Sequence, residues 1–412
     1  MSGCWQLLRE WPPGYGGVER VAHELADHWQ QQGQRCTVFS LAAQPNALAC
    51  ADPLPVGYPR TQLPSLVLGR LVLPLPGRWL WRLLTAPEPL HVHLPCPAVL
   101  ALAVLARGLR PRRRISLHWH SFLEPAPTPS GRLFGLYQRL ALAALPLFRS
   151  VITTSPVLAQ SLVEAGMPAD RVQVLPCCLP AVAEQAAARA ASARLDAAAG
   201  SGTPIGLVRG FRLLSIGRLD SYKRVDWLID AVAALRQASP DLAVRLDVVG
   251  DGPDRSALEA LAAARAPGQV WFHGRLDEAA KQRWLEQADL LVLAANRSNE
   301  AFGIVQLEAM ASAVPALAFR HPRSGMHWVS QVPCLSWDGT LAALVPTIAA
   351  LAADPFLLAE ARQQSRQRYG DRFAREIWTN TLLACFPPDA VLLHPKPAVI
   401  SDTLSPSQGP VL

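Results

Sequence analysis

The alternation of strands and helices is plainest in residues 212–253, which read RLLSIGRLDSYKRVDWLIDAVAALRQASPDLAVRLDVVGDGP. Two apolar runs, Arg212–Ile216 and Val244–Val249, have strand length, and Val225–Gln237 between them repeats apolar residues at helical spacing. The second run ends in the turn Gly250-Asp251-Gly252-Pro253. Continuously apolar strands separated by helices form parallel sheets with both faces covered, so these residues predict a doubly wound α/β domain.

The same pattern extends in both directions along the chain. Toward the C-terminus it predicts helices at Ala257–Arg265, Glu278–Gln287 and Ile304–Ala313, and strands at Val270–His273, Leu290–Ala294 and Pro315–Phe319. In the first half it is less regular and predicts strands at Gln6–Arg9, Cys36–Leu41, Leu90–Leu94, Ile115–His118 and Val151–Thr154, and helices at Val18–Gln32, Ala98–Arg107, Arg132–Leu145 and Val157–Ala165. We therefore expect two similar α/β domains that face each other across a cleft, with a ligand at the carboxyl ends of their strands.

Composition shifts indicate where these domains begin and end. The first domain is expected at residues 1–205 and the second at 206–365, joined by the alanine-rich Ala181–Gly202, which has few large apolar residues and is predicted to be partly helical. Ser365–Phe386 is amphipathic, so residues 366–386 are expected to form a helix that packs back on the first domain. Residues 387–412, rich in proline and serine, are expected to be a disordered tail.

Charge is distributed unevenly along the 412 residues. Residues 1–205 hold 18 arginines, no lysine and 11 acids, whereas residues 206–412 hold 21 basic and 21 acidic residues, so the whole net charge of +7 lies in the first half. That excess predicts an anionic partner there. Lysine occurs only at Lys223, Lys281 and Lys396.

Three further features of the sequence bear on whether the protein is folded and soluble and on its cellular compartment. No apolar run reaches the roughly 18 residues of a membrane-spanning helix, and the first residues lack the basic and apolar regions of a signal peptide. The eight cysteines show no C-x-x-C spacing, and Cys177-Cys178 is expected to be a pair of small buried thiols. Half of the residues are hydrophobic, which excludes disorder as the main state. We expect a soluble protein of the reducing cytoplasm.

Two motifs in the first half have the residue types of a binding site. Gly16-Gly17 directly precedes a predicted helix, where backbone N–H groups can approach a phosphate; an ordinary tight turn is the alternative. This is not the G-x-G-x-x-G pattern of dinucleotide-binding enzymes. His118 and His120 share one face at the end of a predicted strand and are expected to point into the cleft, a pattern that His91 and His93 repeat. They could bind zinc, but the sequence places no third ligand nearby, and structural hydrogen bonding is the alternative.

Two motifs in the second half are more specific. Arg218 and Lys223 lie in the loop after a strand, where a planar guanidinium and a compact ammonium suit a diphosphate. Because arginine has replaced lysine nearly everywhere else, the lysine at 223 indicates a geometric requirement. Glu300 and Glu308 are eight residues apart around Phe302-Gly303, the first in a loop and the second two turns into a helix. Amides at that helix start can hold sugar hydroxyls or phosphate oxygens, and a carboxylate can accept both hydroxyls of a ribose.

With these motifs in order, the chain resembles the large retaining glycosyltransferase family 4, which has the GT-B fold of two facing Rossmann-like domains. The resemblance runs from about Pro12 to Phe386. Its strongest matches are G-R-L-x-x-x-K at Gly217–Lys223, V-G-D-G-P at Val249–Pro253 and E-A-F-G-I-V-x-L-E-A-M-A at Glu300–Ala311.

The resemblance implies a transferase that moves a hexose from a nucleotide sugar to a glycan or lipid-linked acceptor with retention of configuration, in cell-envelope or exopolysaccharide biosynthesis. It implies catalytic roles for Arg218, Lys223, Glu300 and His118. It assigns the diphosphate to Gly16, Gly17, Arg218 and Lys223, the ribose to Glu308, the transferred sugar to Glu300 and the amides of Phe302 and Gly303, and the acceptor or sugar side to His120 and Arg323. GDP-mannose is the first expectation for the donor, followed by UDP-hexoses.

No metal or other cofactor is expected. The charge that develops on a departing nucleoside diphosphate can be met by Arg, Lys and amide dipoles, and the sequence has no Asp-x-Asp motif. Two departures from the family pattern stand out. Leu175-Pro176-Cys177-Cys178-Leu179-Pro180 replaces a Pro-Asn-Gly segment, and Ala313 replaces a frequent glycine.

The first half also carries a basic and aromatic surface candidate. The arginines at 107, 110, 112, 113 and 114, with Trp79-Leu80-Trp81-Arg82, suit an anionic membrane interface, which would place the protein peripherally on the inner face of the membrane; a solvated loop is the alternative. Nucleic acid is not expected, because no recognised binding module accompanies the charge. Alternative functions are a sugar-phosphate or sucrose-type synthase, a nucleotide-sugar epimerase, and a non-catalytic nucleotide-sugar-binding subunit.

Overall fold

The first half of the chain forms a seven-stranded parallel sheet. The structure is a computed structural model and describes residues 4–10, 16–41, 56–68, 71–124, 129–200 and 210–387. The sheet has the order β3-β2-β1-β6-β7-β8-β9. Its strands are β1 (Cys4–Leu8), β2 (Cys36–Leu41), β3 (Arg60–Leu63), β6 (Leu90–Leu94), β7 (Ile115–Trp119), β8 (Ser150–Thr153) and β9 (Val172–Val174). Between β3 and β6 the chain makes an antiparallel hairpin of β4 (Ser65–Leu68) and β5 (Leu71–Pro74).

The second half forms a five-stranded parallel sheet of order β12-β11-β10-β13-β14. Its strands are β10 (Phe211–Ile216), β11 (Val244–Val249), β12 (Val270–Gly274), β13 (Leu290–Leu293) and β14 (Ala316–Ala318). In both sheets the chain moves outward from a central strand and then returns to its other side, so the order reverses beside β1 and beside β10. Such reversal points leave a crevice at the carboxyl ends of the strands. The predicted pair of doubly wound α/β domains is confirmed.

Helices cover these sheets. In the first half they are α1 (Gly17–Gln31), α2 (Arg78–Thr85), α3 (Pro97–Leu109), α4 (Pro129–Ala144) and α5 (Pro156–Glu164). In the second half they are α7 (Val225–Ala238), α8 (Arg255–Arg265), α9 (Glu278–Gln287), α10 (Ile304–Ala311), α11 (Met326–Ser330), α12 (Leu341–Ala353), α13 (Pro355–Arg372) and α14 (Arg375–Cys385). Local chemistry sets several starts: the Asp354 side chain accepts from the amides of Phe356 and Leu357, and Pro355 occupies the first helical position.

Three helices join the two halves. The alanine-rich connection is the continuous helix α6 (Ala181–Gly200). Residues 201–209, which include the end of the predicted linker, and residues 388–412 of the predicted tail lie outside the described residues. The C-terminal segment forms two helices, α13 and α14, instead of one. Helix α14 returns to α1, where Arg375 pairs with Glu24 at 2.5 Å and Trp378 meets His28 edge-on.

Among the described residues, no single helix is long and apolar enough to cross a bilayer. By length and composition alone, α12 together with the α13–α14 segment passes the same test, with a bend of 107° between them.

Candidate active site

The motif residues gather at the two reversal points. Gly16 and Gly17 follow β1, and residues 217–223 follow β10, while Glu300, Phe302 and Gly303 lie between β13 and α10. Strands β10 and β13 are neighbours, so their carboxyl ends bring both loops of the second domain together. The structure thus places every donor-side residue of the sequence analysis at one crevice between the domains.

Two helix N-termini meet in this crevice. A Cβ placed on Gly17, the first residue of α1, would lie 3.7 Å from Cδ1 of Ile304, the first residue of α10. Gly303 caps α10 with φ +74°, and a side chain there would collide with Leu293 and Gln306. Only glycine fits that backbone and that space. The converging N–H groups and helix dipoles create positive potential suited to an anion.

Lys223 and Glu300 form an ion pair beside these N-termini. Burial is the largest single influence and acts against the charged form of Lys223, but the charge and hydrogen bond of Glu300, together with Tyr222 and Asp220, outweigh it, so the pKa of Lys223 is raised. Arg218 differs, because its side chain is 68% exposed and contacts Asp220 at 3.0 Å. It is therefore held at the surface of the crevice, where it can turn toward an anionic ligand.

Glu308 is the buried centre of a second charged group. Its Oε1 accepts from Lys281 Nζ at 2.9 Å and from Arg20 Nη1 of the first domain at 3.1 Å, and both cations also pair with Glu278. Its Oε2 is buried and has no hydrogen-bond partner among the described residues. A buried carboxylate oxygen without a donor is costly, so this atom has the free acceptor capacity that a ligand hydroxyl would use. Sequence reasoning did not identify Arg20 or Lys281.

Four histidines, three on β6 and β7 and one directly after β7, form a buried layer on the face of the first sheet that α1 covers. Ser116 Oγ lies 2.8 Å from Nδ1 of His91, whose Nε2 lies 3.3 Å from Nδ1 of His118. In a second chain, His93 lies between Gln6 and His120, at 2.8 and 2.9 Å. Burial lowers the pKa of His91 and of His120 to about 3, and those of His93 and His118 well below their usual value. All four imidazoles are therefore neutral at physiological pH.

The second chain fixes two tautomers. Gln6 Nε2 donates to the carbonyl of Ala22 at 2.9 Å, so its Oε1 faces His93 and must accept. His93 then carries its proton on Nε2, and its Nδ1 accepts from Nε2 of His120. The lone pair of His120 is assigned to Nδ1 by this network.

The histidine layer also supplies the third imidazole that the sequence did not place. Nitrogen atoms of His91, His93 and His118 lie within 4.8 Å of one another, a donor set that zinc accepts. Coordination by His93 would break one of its two hydrogen bonds. The present arrangement matches the structural hydrogen-bonding alternative more closely than a metal centre.

The expectation that both imidazoles of the His118–His120 motif point into the cleft is wrong for His118. Its side chain is fully buried, stacked on His120 at 4.1 Å, because its face of β7 lies beneath α1 rather than at the sheet edge. His120 follows the last residue of β7 and is 6% exposed. Its loop meets the second domain, since Ser298 donates to the Phe122 carbonyl at 3.1 Å. The Arg323 guanidinium also reaches Phe122, 5.3 Å from the ring centre.

Comparison with known proteins identifies this architecture. The sequence model described as Glycosyltransferase Family 4 matches residues 15–181, and the model described as Glycosyl transferases group 1 matches residues 210–354. The chain belongs to glycosyltransferase family 4. Its two facing Rossmann-like domains have the GT-B fold of that family.

Curated relatives match parts of the family 4 chain. It is 30% identical over 197 residues to a D-inositol 3-phosphate glycosyltransferase of Pseudarthrobacter chlorophenolicus, covering 47% of this chain and 44% of that one. It is 35% identical over 111 residues to a phosphatidyl-myo-inositol mannosyltransferase of Mycobacterium tuberculosis, covering 27% and 28%. Each of these matches therefore spans less than half of the relative.

Solved structures match nearly the whole chain. HepE of Anabaena, crystallised with UDP, superposes with a TM-score of 0.67 at 18% identity, over 93% of this chain and 98% of that one. The pneumococcal O-GlcNAc transferase GtfA, crystallised with UDP and GlcNAc, superposes with a TM-score of 0.63 at 12% identity, over 93% and 98%. At such identities the likeness concerns the fold.

The departures from the family 4 pattern have visible consequences. Ala313 has φ +55°, a left-handed conformation that favours the glycine it replaces. Cys177 and Cys178 are buried free thiols, as predicted.

One arginine of the predicted basic run is not at the surface. Arg113 is buried and donates to the carbonyls of Leu83 and Glu88, so it does not belong to a basic surface.

Glu19 follows the glycine pair by two residues and was not predicted as a site residue. It is buried in the first turn of α1, and burial, followed by the charge of Glu10, raises its pKa to about 7. A Cβ on Gly16 would lie 2.1 Å from its Oε2, so the carboxyl group lies directly against the glycine loop. An acid next to a predicted phosphate site was its only signal in the sequence.

Proposed function

We propose that this family 4 member transfers a hexose from a nucleotide-sugar donor to a glycan or lipid-linked acceptor with retention of configuration, in cell-envelope or exopolysaccharide biosynthesis. The observation that carries the proposal is the meeting of the α1 and α10 N-termini at Gly17 and Ile304, with Lys223 and Arg218 on the same crevice. Amide dipoles and two cations there suit a diphosphate.

The donor would be held along this crevice by charge and hydrogen bonding. The amides of Gly16 and Gly17, with Arg218 and Lys223, hold the diphosphate. The free Oε2 of Glu308 accepts ribose hydroxyls, while Arg20 and Lys281 hold its Oε1 and fix the carboxylate. Glu300, with the amides of Phe302 and Gly303, holds the transferred sugar.

Catalysis would consist of stabilising the departing nucleoside diphosphate. Negative charge develops on its β-phosphate as the glycosidic bond breaks, and preorganised cations and amides lower the energy of that state. We propose that these groups act without a metal. The acceptor oxygen then bonds to the anomeric carbon on the face that the diphosphate leaves, and a phosphate oxygen of the leaving group takes the proton of the acceptor hydroxyl, so that the configuration is retained.

The proposal also covers the base and sugar of the donor and the location of the protein in the cell. GDP-mannose and UDP-hexoses are the two candidate donor classes; HepE and GtfA, similar in fold, were crystallised with UDP. We place the protein in the cytoplasm, peripherally on the inner face of the membrane, where a lipid-linked acceptor would be presented.

A thermal-shift panel tests the donor class. A ligand that binds only the folded protein at 100 times its Kd stabilises it by about 2.7 kcal/mol. We expect one nucleotide sugar among GDP-mannose, UDP-glucose, UDP-GlcNAc and ADP-glucose to raise Tm, and Lys223→Met to remove that rise. Exposed Arg265→Met, on α8, is the control. A panel in which no nucleotide sugar raises Tm would contradict the proposal. Transfer of the hexose to a hexose phosphate, with release of the nucleoside diphosphate, would favour the synthase alternative.

A further inference from the structure

One outer surface of the first domain is both basic and apolar. Residues 60–150 contain twelve arginines, no lysine and two glutamates, an excess of ten positive charges within a protein whose net charge is +7. One of the two acids, Glu124, is held at the cleft by the Ser298 amide at 2.7 Å and by His321 at 2.8 Å. Acidic residues of the same segment therefore balance few of its arginines.

The β4–β5 hairpin presents leucines to solvent. Leu66 pairs across the ribbon with Leu73, and Leu68 with Leu71, all on the outward face. Their side chains are 39–54% exposed, whereas Val72 on the inward face is buried. Two cross-strand pairs of outward leucines form an exposed apolar patch, which soluble surfaces rarely carry without a binding role.

Helices α3 and α4 extend this surface. Strand β5 packs against α3, and α3 packs against α4, so the three elements are adjacent. Leu105 and Leu109 of α3 are about half exposed. On α4, Leu133, Leu136 and Leu140 are 52–65% exposed and share one helix face. We call the outward side chains of the hairpin, α3 and α4 the leucine face.

Exposed arginines lie on the elements that carry the leucine face and on those next to them. Arg110, Arg112 and Arg114 are exposed after the end of α3, Arg132 and Arg139 are exposed on α4, and Arg78 and Arg82 are exposed on α2. We propose that the leucine face docks on an anionic lipid surface. Its leucines would enter the interfacial region while the arginines meet lipid phosphates. A second copy of this chain fits the face less well, because pairing would bring two sets of arginines together.

The docked orientation bears on the acceptor side of the cleft. Helix α4 starts at Pro129, five residues after Glu124, which contacts the second domain at Ser298. A bilayer on the leucine face therefore lies near the first-domain rim of the crevice. The docking itself does not require the proposed transfer; that it presents a lipid-linked acceptor rests on the proposed function.

Vesicle co-sedimentation of the full chain tests the docking. We expect binding to phosphatidylcholine vesicles that contain phosphatidylglycerol, weak binding to pure phosphatidylcholine, and a decrease with salt. The double variant Leu68→Ser/Leu71→Ser and the double variant Arg110→Gln/Arg112→Gln should each weaken binding about tenfold or more. Phe356→Ser, which removes an exposed aromatic ring from α13, is the matched control and should bind as the unmodified chain does.

Three outcomes would overturn the docking proposal. The first is no preference for anionic vesicles, and the second is unchanged binding by both double variants. The third is a dimer in solution that Leu68→Ser/Leu71→Ser dissociates while vesicle binding is absent, which would identify a second copy as the occupant. Unaltered Tm of the variants shows that they fold. A donor-induced rise in Tm, measured without vesicles, reports separately on the proposed function.

Discussion

Nε2 of His93 donates a hydrogen bond to Oε1 of Gln6 at 2.8 Å, and this contact determines where the proton of His120 lies. Gln6 is oriented by the Ala22 carbonyl of α1, His93 is oriented by Gln6, and His120 by His93. The Nδ1 lone pair of His120 follows from a chain that begins in the backbone of a helix. His120 lies beside the carboxyl end of β7, where the first domain meets the second.

Gln6 Oε1 is the hydrogen-bond acceptor at the start of this hydrogen-bonded chain. Removing it should affect turnover more than it affects binding of the nucleotide sugar. In Gln6→Leu, His93 loses the partner that fixes its tautomer, so the population of His120 with a free Nδ1 falls. We expect kcat to fall about tenfold, the equivalent of one hydrogen bond, with little change in donor KM. Ser116→Ala ends the other histidine chain and should keep near-normal kcat. Equal losses in both variants, or an unchanged His120 tautomer in ¹⁵N NMR spectra, would contradict this role.

The two lysines of the second domain each pair with one glutamate of the Glu300–Glu308 motif, Lys223 with Glu300 and Lys281 with Glu308. We expect Lys223→Met to lower kcat/KM by at least about 100-fold, because a donor of transition-state charge is lost. Lys281→Met should chiefly raise donor KM, since it loosens the carboxylate proposed to hold the ribose. Steady-state kinetics separate the two effects. A Lys281→Met variant with unchanged KM would remove Glu308 from the ribose site.

The scarcity of lysine predicted that the site requires a lysine at position 223. The same scarcity would have predicted Lys281, which pairs with Glu308. The alternation of apolar strands and helices predicted all five strands of the second sheet and five of the seven strands of the first. It did not predict β3 and β9, which are short and only partly buried. The histidine layer could not be predicted, because i and i+2 spacing places each pair on one face but does not show that β6 and β7 are neighbours or that α1 covers that face. The hairpin was missed since its leucines and valines are apolar on both faces and carry no alternation.

Acid should destabilise the protein through its buried histidines. Burial lowers their pKa values, to about 3 for His91 and His120 and well below the usual value for His93 and His118. Their contribution to stability is therefore complete above the unfolded pKa of about 6.5 and is lost as pH falls toward the folded pKa values. Each proton taken up only by the unfolded chain costs about 1.4 kcal/mol per pH unit. Urea unfolding between about pH 7.5 and about pH 5 should show this slope, and His118→Phe should reduce it by one proton. Parallel slopes would contradict the assignment.

Replacing Ala313 with the glycine that is frequent in the family should stabilise the protein. Its φ of +55° costs an L-residue about 1 kcal/mol or more, whereas glycine adopts it freely. Ala313→Gly should therefore raise the free energy of unfolding by roughly 0.5–1 kcal/mol. Ala311→Gly, a buried position two residues earlier within α10, should lower it by about 1 kcal/mol. Chemical denaturation compares the pair, and a loss of stability in both variants would show that Ala313 is unstrained.

Glu19 should make donor binding pH-dependent near neutrality. Burial, then the charge of Glu10, raises its pKa to about 7, and its carboxyl group lies against Gly16 in the proposed diphosphate loop. As pH rises through 7 the carboxylate ionises and repels the donor, so donor KM should rise between about pH 6 and about pH 8. Glu19→Gln should flatten this profile, and Glu10→Gln should shift it to lower pH. The raised pKa also links Glu19 to stability. Its contribution to the free energy of unfolding is present at low pH and is lost as pH rises through about 7. Above pH 7, Glu19→Gln should therefore be more stable relative to the unmodified chain than it is at low pH. A KM profile that Glu19→Gln leaves unchanged would separate Glu19 from the donor site.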